Sequence, residues 1–591
     1  MQDQGKRLLL AVALALGVML LWQVFFPSKK EDKPKPTAAQ QSVPTAPRTS
    51  VGVSATGSVP VAATRGAEEL IKLDAPNVAI TFSSYGGVLK SWHLTDARYD
   101  RDRSKGELVP SKSEGDLAVN FANSTYVLPP KAEWKGTKIS DKEVKYALAT
   151  DNLEVEKDFV VDPAAYIVKL TIKVKVKPAA GTVARETLAL TTYGFQDPKD
   201  KGGGGRSVSP RVWQSSTLRG DVMSTGIESL LKQPRYEAGF KWTGFEHPFL
   251  LVGVAPKPDV GMSVEKTTYA DGNEGLMRTD VLFKPDGMFN GTNDTLVRQV
   301  VVYLGPKHYK LLDEADGIAG FTTGFKETVD LGMFQIIGKP LMWLLLAFYG
   351  FLHNWGLAIV LLTILVKGLT VPFTTKSMRS MKAMAVLAPK MKELQEKYKD
   401  DKQRLQMETM ALYKQHGANP LSGCLPILLQ MPIWLALYRM LSSTGELYLQ
   451  PFIPGWIDDL TNSDPWHVLP VVLCITMFAQ ARLQPASPDP SQKMQQRMMQ
   501  YGLPLMFGVM SFFFPAGLTL YIFTNTILSA LHSIYMNKFD KKSVELAAKI
   551  KAAQEAKQKP VAVVAKAEPV EPVVSKIVPR NQAQKKKKKK K

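Results

Sequence analysis

The sequence predicts a polytopic α-helical membrane protein: an N-terminal anchor, a large antiparallel β-sandwich outside the membrane, and a core of five further spanning helices. Three observations carry this. Apolar residues gather in long runs at 8–26 and again after residue 332, rather than spreading along the 591 residues. Between those runs Val168, Leu170, Ile172, Val174 and Val176 alternate with Lys169, Thr171, Lys173 and Lys175, the period-two pattern of a strand with one wet face. The formal net charge of +21 is localised: residues 537–591 carry seventeen Lys or Arg against five Asp or Glu, and residues 374–420 carry ten against five.

Lys6 and Arg7 precede Leu8 to Phe26, a run close to the roughly 20 apolar residues that a span needs. Trp22-Gln23-Val24-Phe25-Phe26 offers no small-residue cleavage site, so residues 1–26 read as an uncleaved anchor. Its basic flank puts the N-terminus in the cytoplasm. Residues 27–66 are rich in Pro, Ala, Ser and Thr and cannot bury a core, which makes them a flexible linker. Residues 67–325 form the β-domain, with short strands such as Val78 to Phe82 bounded by Gly, Pro and Asp turns. The run Gly202 to Gly205 is followed by Arg206-Ser207 and reads as a loop, not a phosphate cradle. Cys424 and Cys474 both sit in apolar runs, which excludes a disulfide framework for the β-domain.

Residues 326–353 read as an amphipathic interfacial helix, interrupted at Lys339-Pro340. Spans follow at 354–373, 421–441, 466–483, 498–513 and 516–536, the last two split by Pro515-Ala516-Gly517. The segment 374–420 reads as a helical hairpin, Met381 to Lys399 and Lys402 to His416, turning at Asp400-Asp401. Its methionines, among them Met381, Met384, Met391, Met407 and Met410, suit either an adaptable surface or contacts between the two helices. Residues 442–465 contain acids and no Lys or Arg, so they belong outside, while 374–420, 484–497 and the tail belong inside. Six spans with both termini cytoplasmic satisfy that charge distribution. The tail 537–591, ending on Lys585 to Lys591, reads as disordered and suited to polyanions such as ribosomal RNA or anionic lipid.

The span 354–373 contains Lys367, and ionisable groups inside a span usually face a bundle interior or a wet cavity. Thr363, Lys367, Thr370 and Thr374 share one helix face, as do Tyr521, Asn525, Ser529 and Ser533. Gln430 shares a face with Trp434, and Thr476 with Gln480. Polar stripes on several spans point to a bundle with a hydrated interior surface. Lys367 is also near enough to Pro372 for its stem to snorkel to the interface. Nothing in the spans resembles a carboxylate pair for proton relay, and the His residues lack metal-ligand spacing, so the chain reads as neither an enzyme nor a metalloprotein.

Several strings resemble one family. DDKQR at 400–404, MALYK at 410–414, NPLSGCLP at 419–426, QMPIWLALYRML at 430–441, FPAGLTLY at 514–521 and Asn354-Trp355-Gly356 look like the YidC family of membrane protein insertases, in its Gram-negative six-span form. Tyr303 to Lys307 resembles the end of that family's periplasmic domain. The resemblance implies a periplasmic β-supersandwich, similar to galactose mutarotase folds, before a five-helix insertase core. That core would hold a hydrophilic groove open to cytoplasm and lipid, whose positive residue, usually Arg, falls on Lys367. Lysine keeps the charge and loses bidentate carboxylate pairing. A second aromatic often follows Tyr521 in the family, and Ile522 stands here.

The expected substrate groove is therefore Lys367, Thr363, Gln430, Tyr521 and Asn525, working without cofactor or metal. The implied partners are nascent inner-membrane proteins, the Sec translocon, the ribosome (through tail and hairpin) and membrane lipids, in an insertase and chaperone of the cell inner membrane. The alternative is a polytopic transporter or channel with a periplasmic sensor domain, which would call for paired repeats and broken midplane helices; the sequence has neither. A membrane-anchored sugar epimerase is a further rival, suggested only by the mutarotase-like fold; Glu246 and His247 are adjacent but placed by no visible motif.

Overall fold

The computed structural model of the chain describes residues 66–558 except 100–102, 123–127, 129–131, 151–152, 177–186, 198–211, 219–220, 260–261, 273, 286–294, 330–334, 417–424 and 484–497. The expected anchor 1–26, most of the linker, the Gly202–Gly205 loop, the loop 484–497 and the tail from 559 lie outside the described residues.

The β-domain contains antiparallel sheets of three, nine and five strands among the described residues. Ile167–Val176 lies inside the nine-stranded sheet, paired with Leu153–Asp162 on one side and Thr295–Pro306 on the other. Val168, Leu170, Ile172 and Val174 are buried while Lys169, Lys173 and Lys175 are exposed, as the alternation requires. Val78, Ile80 and Phe82 enter the same core from the three-stranded sheet.

One inward position breaks the apolar rule. On Leu153–Asp162 the buried face reads Leu153, Val155, Lys157, Phe159, Val161. Lys157 Nζ donates to the carbonyls of Gly86, Gly87 and Leu117 at 3.0, 2.6 and 3.0 Å and lies 4.8 Å from the Trp134 ring centroid. It ties the large sheet to the turn between the last two strands of the three-stranded one, giving hydrogen bonds to backbone there. Burial pushes its pKa down to about 7.

The chain leaves the β-domain through helix α1 (Tyr309–Ala319), which ends on Gly320 in the left-handed region at φ 77°. The expected interfacial helix is shorter than 326–353: Phe325–Thr328 is a single 3-10 turn, and helix α2 spans Gln335–Leu352. It is not interrupted at Lys339-Pro340. A proline inside a helix removes one donor, and Leu341, Met342 and Leu345 buried just beyond it keep the helix seated. The opposite face exposes Ile336, Trp343 and Phe351.

Helix α3 covers Trp355–Val386, and the Asn354-Trp355-Gly356 string sets its start. Asn354 Oδ1 accepts from Leu357 N at 3.0 Å as an N-cap, while its amide donates to Phe452 O at 3.0 Å. Trp355 stacks on Tyr349 with centroids 3.9 Å apart. A Cβ on Gly356 would sit 2.0 Å from the Phe452 ring, so only glycine admits that contact. The helix does not end near 373 as expected. It continues through Pro372 for 32 residues in all, about 48 Å at helical rise.

The hairpin is therefore shorter than 374–420, with α4 (Ala388–Lys397) and α5 (Lys402–Gln415) closing over Leu387, Met391 and Tyr413. Met391 is core, whereas Met407 and Met410 are exposed, so both uses of methionine occur.

The remaining helices are α6 (Leu425–Ser443), α7 (Val468–Leu483), α8 (Leu503–Ser511, after a π-turn at Met498–Gly502) and α9 (Ala516–Lys538). Pro515 separates α8 from α9, and the free amides of Ala516 and Gly517 donate to Asn462 O and Leu460 O at 2.7 and 2.8 Å. Among the described residues α3 is long and apolar enough on its own to cross a membrane; Ile336–Leu352 and α7 are shorter apolar helices.

The expectation of disorder throughout 537–591 is corrected by helix α10, Lys541–Gln558. Asp540 accepts from Ser543 N at 3.0 Å at its start, and the segment is rich in Ala and Lys, both strong helix formers. α10 packs against α3.

Candidate functional site

The site forms where α3, α9 and α6 converge. Lys367 reaches from α3 to α9, its Nζ donating to Ser529 Oγ at 2.5 Å and to Asn525 Oδ1 at 3.3 Å. Gln430, from α6, donates Nε2 to the same Asn525 oxygen at 2.7 Å. Tyr521 lies one turn before Asn525, is 2% exposed, and is hydrogen-bonded to the Gln430 side chain. Four of the five expected residues thus share one network, with the Asn525 carboxamide oxygen as its node.

Lys367 is 8% exposed, and both of its hydrogen-bond partners are neutral. Among the described residues its charge is solvated by dipoles rather than cancelled by a carboxylate. In a medium of low dielectric such a charge acts strongly on an incoming group of opposite sign.

Thr363 stands apart. It is 1% exposed and donates Oγ1 to Ile359 O of its own helix at 2.6 Å. Thr370 and Thr374 are likewise tied to the carbonyls of Lys367 and Thr370. Spacing placed these threonines on the right face, but threonine in a helix commonly bonds back to its own turn.

The polar seam between α3 and α9 runs further than the expected residues. Thr375 Oγ1 meets His532 Nε2 at 3.0 Å, and Lys382 Nζ donates to Met536 O at 3.0 Å. Arg379 forms a two-pronged ion pair with Asp540, the residue that caps α10. The sequence signal was the continued three-and-four spacing of Ser529, His532 and Met536 against Thr375, Arg379 and Lys382.

The residues of the epimerase rival are occupied elsewhere. Glu246 is 4% exposed and bound to Lys307 Nζ at 2.6 Å, and His247 packs against Phe249 and Tyr448. Both belong to the junction between the β-domain and the helices.

Comparison with known proteins agrees with this architecture. Residues 70–344 match the family described as the YidC periplasmic domain, and residues 347–543 match the family described as 60Kd inner membrane protein. The membrane protein insertase YidC of Anaeromyxobacter dehalogenans (strain 2CP-C) is 34% identical over 91% of this chain and 98% of its own length. The protein of the same name from Geotalea daltonii is 31% identical over 90% of this chain and 99% of its own. A crystal structure of an active YidC insertase with its first transmembrane domain resolved covers 80% of this chain and 93% of that one, at 18% identity and a TM-score of 0.35. With a periplasmic β-sandwich domain and a helical C-terminal core, this chain belongs to the YidC family: it is an inner-membrane protein insertase, not an enzyme, and nascent membrane proteins are its substrates.

Proposed function

We propose that Lys367, Gln430, Tyr521 and Asn525, with Ser529, form the polar surface that receives the translocated segment of a nascent membrane protein, and that Thr363 borders it. The observation that carries this is the uncancelled Lys367 charge held by Asn525 and Ser529 where α3, α6 and α9 meet. An acidic or polar segment would exchange bulk water for these groups, which lowers the cost of moving it across. Apolar segments would leave along α8, where Leu505 and Val509 are exposed one turn apart. The work would come from hydrophobic transfer of the substrate's own helix, about 25 cal/mol per Å², and from the membrane potential acting on its acidic residues. No nucleotide or cofactor enters.

In this reading the chain is multi-pass, with the N-terminal anchor and five core spans and with both termini cytoplasmic. The Lys and Arg excess at 374–420 and in the tail, against the acidic 442–465, supports it. The basic tail and the hairpin would meet the ribosome, the lipid-facing helices would meet the bilayer, and the same surface would serve alone or beside the Sec translocon as insertase and chaperone. Photo-crosslinkers placed at 430 and 521 should capture a stalled nascent membrane protein, with weaker capture from 363. Capture from exposed α2 positions such as 343 and none from 430 or 521 would refute the assignment.

A further inference from the structure

The β-domain meets the helical core at the turn Gly445 to Tyr448, just beyond α6. Gly445 donates its amide to Lys307 O at 3.1 Å. A Cβ there would lie 2.6 Å from Lys307 N and 2.8 Å from Phe249 O, so the approach requires glycine. Arg98 of the β-domain donates Nη1 to Gly445 O at 3.1 Å and to Tyr448 O at 3.3 Å. Tyr448 stacks on Phe249 with centroids 4.9 Å apart and planes 19° apart.

Glu446 sits inside this contact, 6% exposed. Its Oε1 accepts from Tyr309 N at 2.9 Å, the first amide of α1, whose own N-cap His308 contributes no side-chain bond. The core thus caps a helix of the β-domain. Among the described residues Glu446 Oε2 is buried without a hydrogen-bond partner.

We propose that this turn is the seat that fixes the β-domain on the core, and that Glu446 is a pin whose protonation sets how firmly the seat holds. A carboxyl with one buried oxygen and no partner for it is better tolerated neutral. Burial accordingly pushes Glu446 up to about 7, against the opposing pull of the Tyr309 amide, its own amide and Arg98. A group whose docked pKa lies above its free value contributes docking strength fully below the free value, near 4.5, and loses it as pH rises through about 7.

Asp459, which accepts from Leu449 N at 3.2 Å, is raised by burial and works in the same direction as Glu446. The remaining titratable groups at the seat work the opposite way or not at all in that range. Burial pushes His308 down to about 4 and His247 down to about 3, so both oppose docking as pH falls below their ordinary 6.5. Burial raises Tyr99 and Tyr303, which keeps them neutral. Lys307 and Glu246 are paired with each other, and Arg98 is paired with Asp96 at 3.2 Å. Because α6 also carries Gln430, the seat links the orientation of the periplasmic domain to one wall of the polar site.

Hydrogen exchange on the full chain in lipid nanodiscs, at pH 6 and pH 8 and normalised to intrinsic rates, tests this. The readout is protection of residues 309–312 and 445–448 in the parent, in Glu446→Gln and in Arg98→Ala. The histidines and Asp459 are common to the parent and Glu446→Gln, so the ratio of protection between the two proteins isolates Glu446. That ratio should fall roughly tenfold from pH 6 to pH 8, with Ile167–Val176 equally protected in both. A ratio that stays constant overturns the pin. Arg98→Ala, which leaves Glu446 in place, should expose 445–448 at both pH values while Ile167–Val176 stays protected; unchanged protection of the turn overturns the seat.

Discussion

Lys367 and Asn525 face each other across α3 and α9 with Nζ 3.3 Å from Oδ1, and the same oxygen holds Gln430 Nε2 at 2.7 Å. One neutral amide therefore orients a cation and a second amide together. If the cation works by charge, its neighbours matter chiefly through whether they cancel it.

Asn525→Asp tests that directly. The substitution is nearly isosteric and places a carboxylate beside Lys367, where an ion pair at about 4 Å is worth roughly 4 kcal/mol at an effective dielectric of 20. Insertion of clients with acidic translocated tails should fall several-fold, as in Lys367→Leu, while Lys367→Arg keeps it and Lys367→Glu is worse than either. The measurement is protease protection of the translocated tail in proteoliposomes. Equal insertion by Asn525→Asp, Lys367→Leu and the parent would leave Lys367 a packed lysine with no part in recognition.

Thr363→Val should change the same assay little. Its hydroxyl serves Ile359 O, a carbonyl already able to accept within its own helix, so the loss is below about 1 kcal/mol. A large loss of insertion from a normally folded Thr363→Val protein would restore Thr363 to the polar surface.

The different standing of Thr363 and Asn525 marks how far the sequence reaches. Helical spacing placed both on polar stripes, because which face a side chain occupies depends on the chain's own period. Whether a hydroxyl turns back to its own carbonyl or across to another helix depends on packing that no local pattern encodes. Strands were legible for the same reason that Lys157 was not: alternation reports the buried face, and a lysine on it reads as a slip until the carbonyls of Gly86, Gly87 and Leu117 are seen to receive it. Pro372 resembled a boundary, yet a proline removes only one donor, and α3 continues beyond it against α9 and α10.

Lys157→Met should destabilise the β-domain by about 3 kcal/mol, since it keeps the volume and strands two buried carbonyls and a half-buried one. Urea unfolding followed by tryptophan emission, with Trp134 beside the site, measures it. Burial lowers the Lys157 pKa to about 7, so its folded form holds its proton less tightly than the unfolded chain. Its contribution to stability therefore rises between about 7 and the ordinary 10.5, and Lys157→Met should abolish that rise. A midpoint unchanged by the substitution would mean that the tie carries no load.

Gly356→Ala should loosen the start of α3, because the added Cβ meets the Phe452 ring at 2.0 Å. Overpacking of this kind costs about 1–3 kcal/mol. Gly356→Ala combined with Phe452→Ala should recover part of that loss, a coupling that a double-mutant cycle on thermal unfolding in detergent reads out. Strictly additive single effects would show that the two residues do not press on each other.

The basic tail divides at Gln558. Up to that residue it is the helix α10, started by Asp540, which is also paired with Arg379 of α3. Beyond it lie eleven Lys or Arg against two acids, ending in Lys585 to Lys591. Binding of such a block to ribosomal RNA is driven mainly by counterion release, so its contribution should fall steeply with salt. Truncation after residue 558 should weaken co-sedimentation with vacant ribosomes at low salt, with the difference shrinking as salt rises. Micelles or neutral lipid are needed, because anionic lipid would compete for the same lysines. Arg379→Ala addresses the other half of the tail: it breaks the pair with Asp540 and should free α10 from α3 without altering the salt slope. If the truncated chain binds as well as the full one at every salt concentration, the lysines serve membrane orientation alone, and the exposed Met407 and Met410 face of the hairpin becomes the first place to seek the ribosome contact.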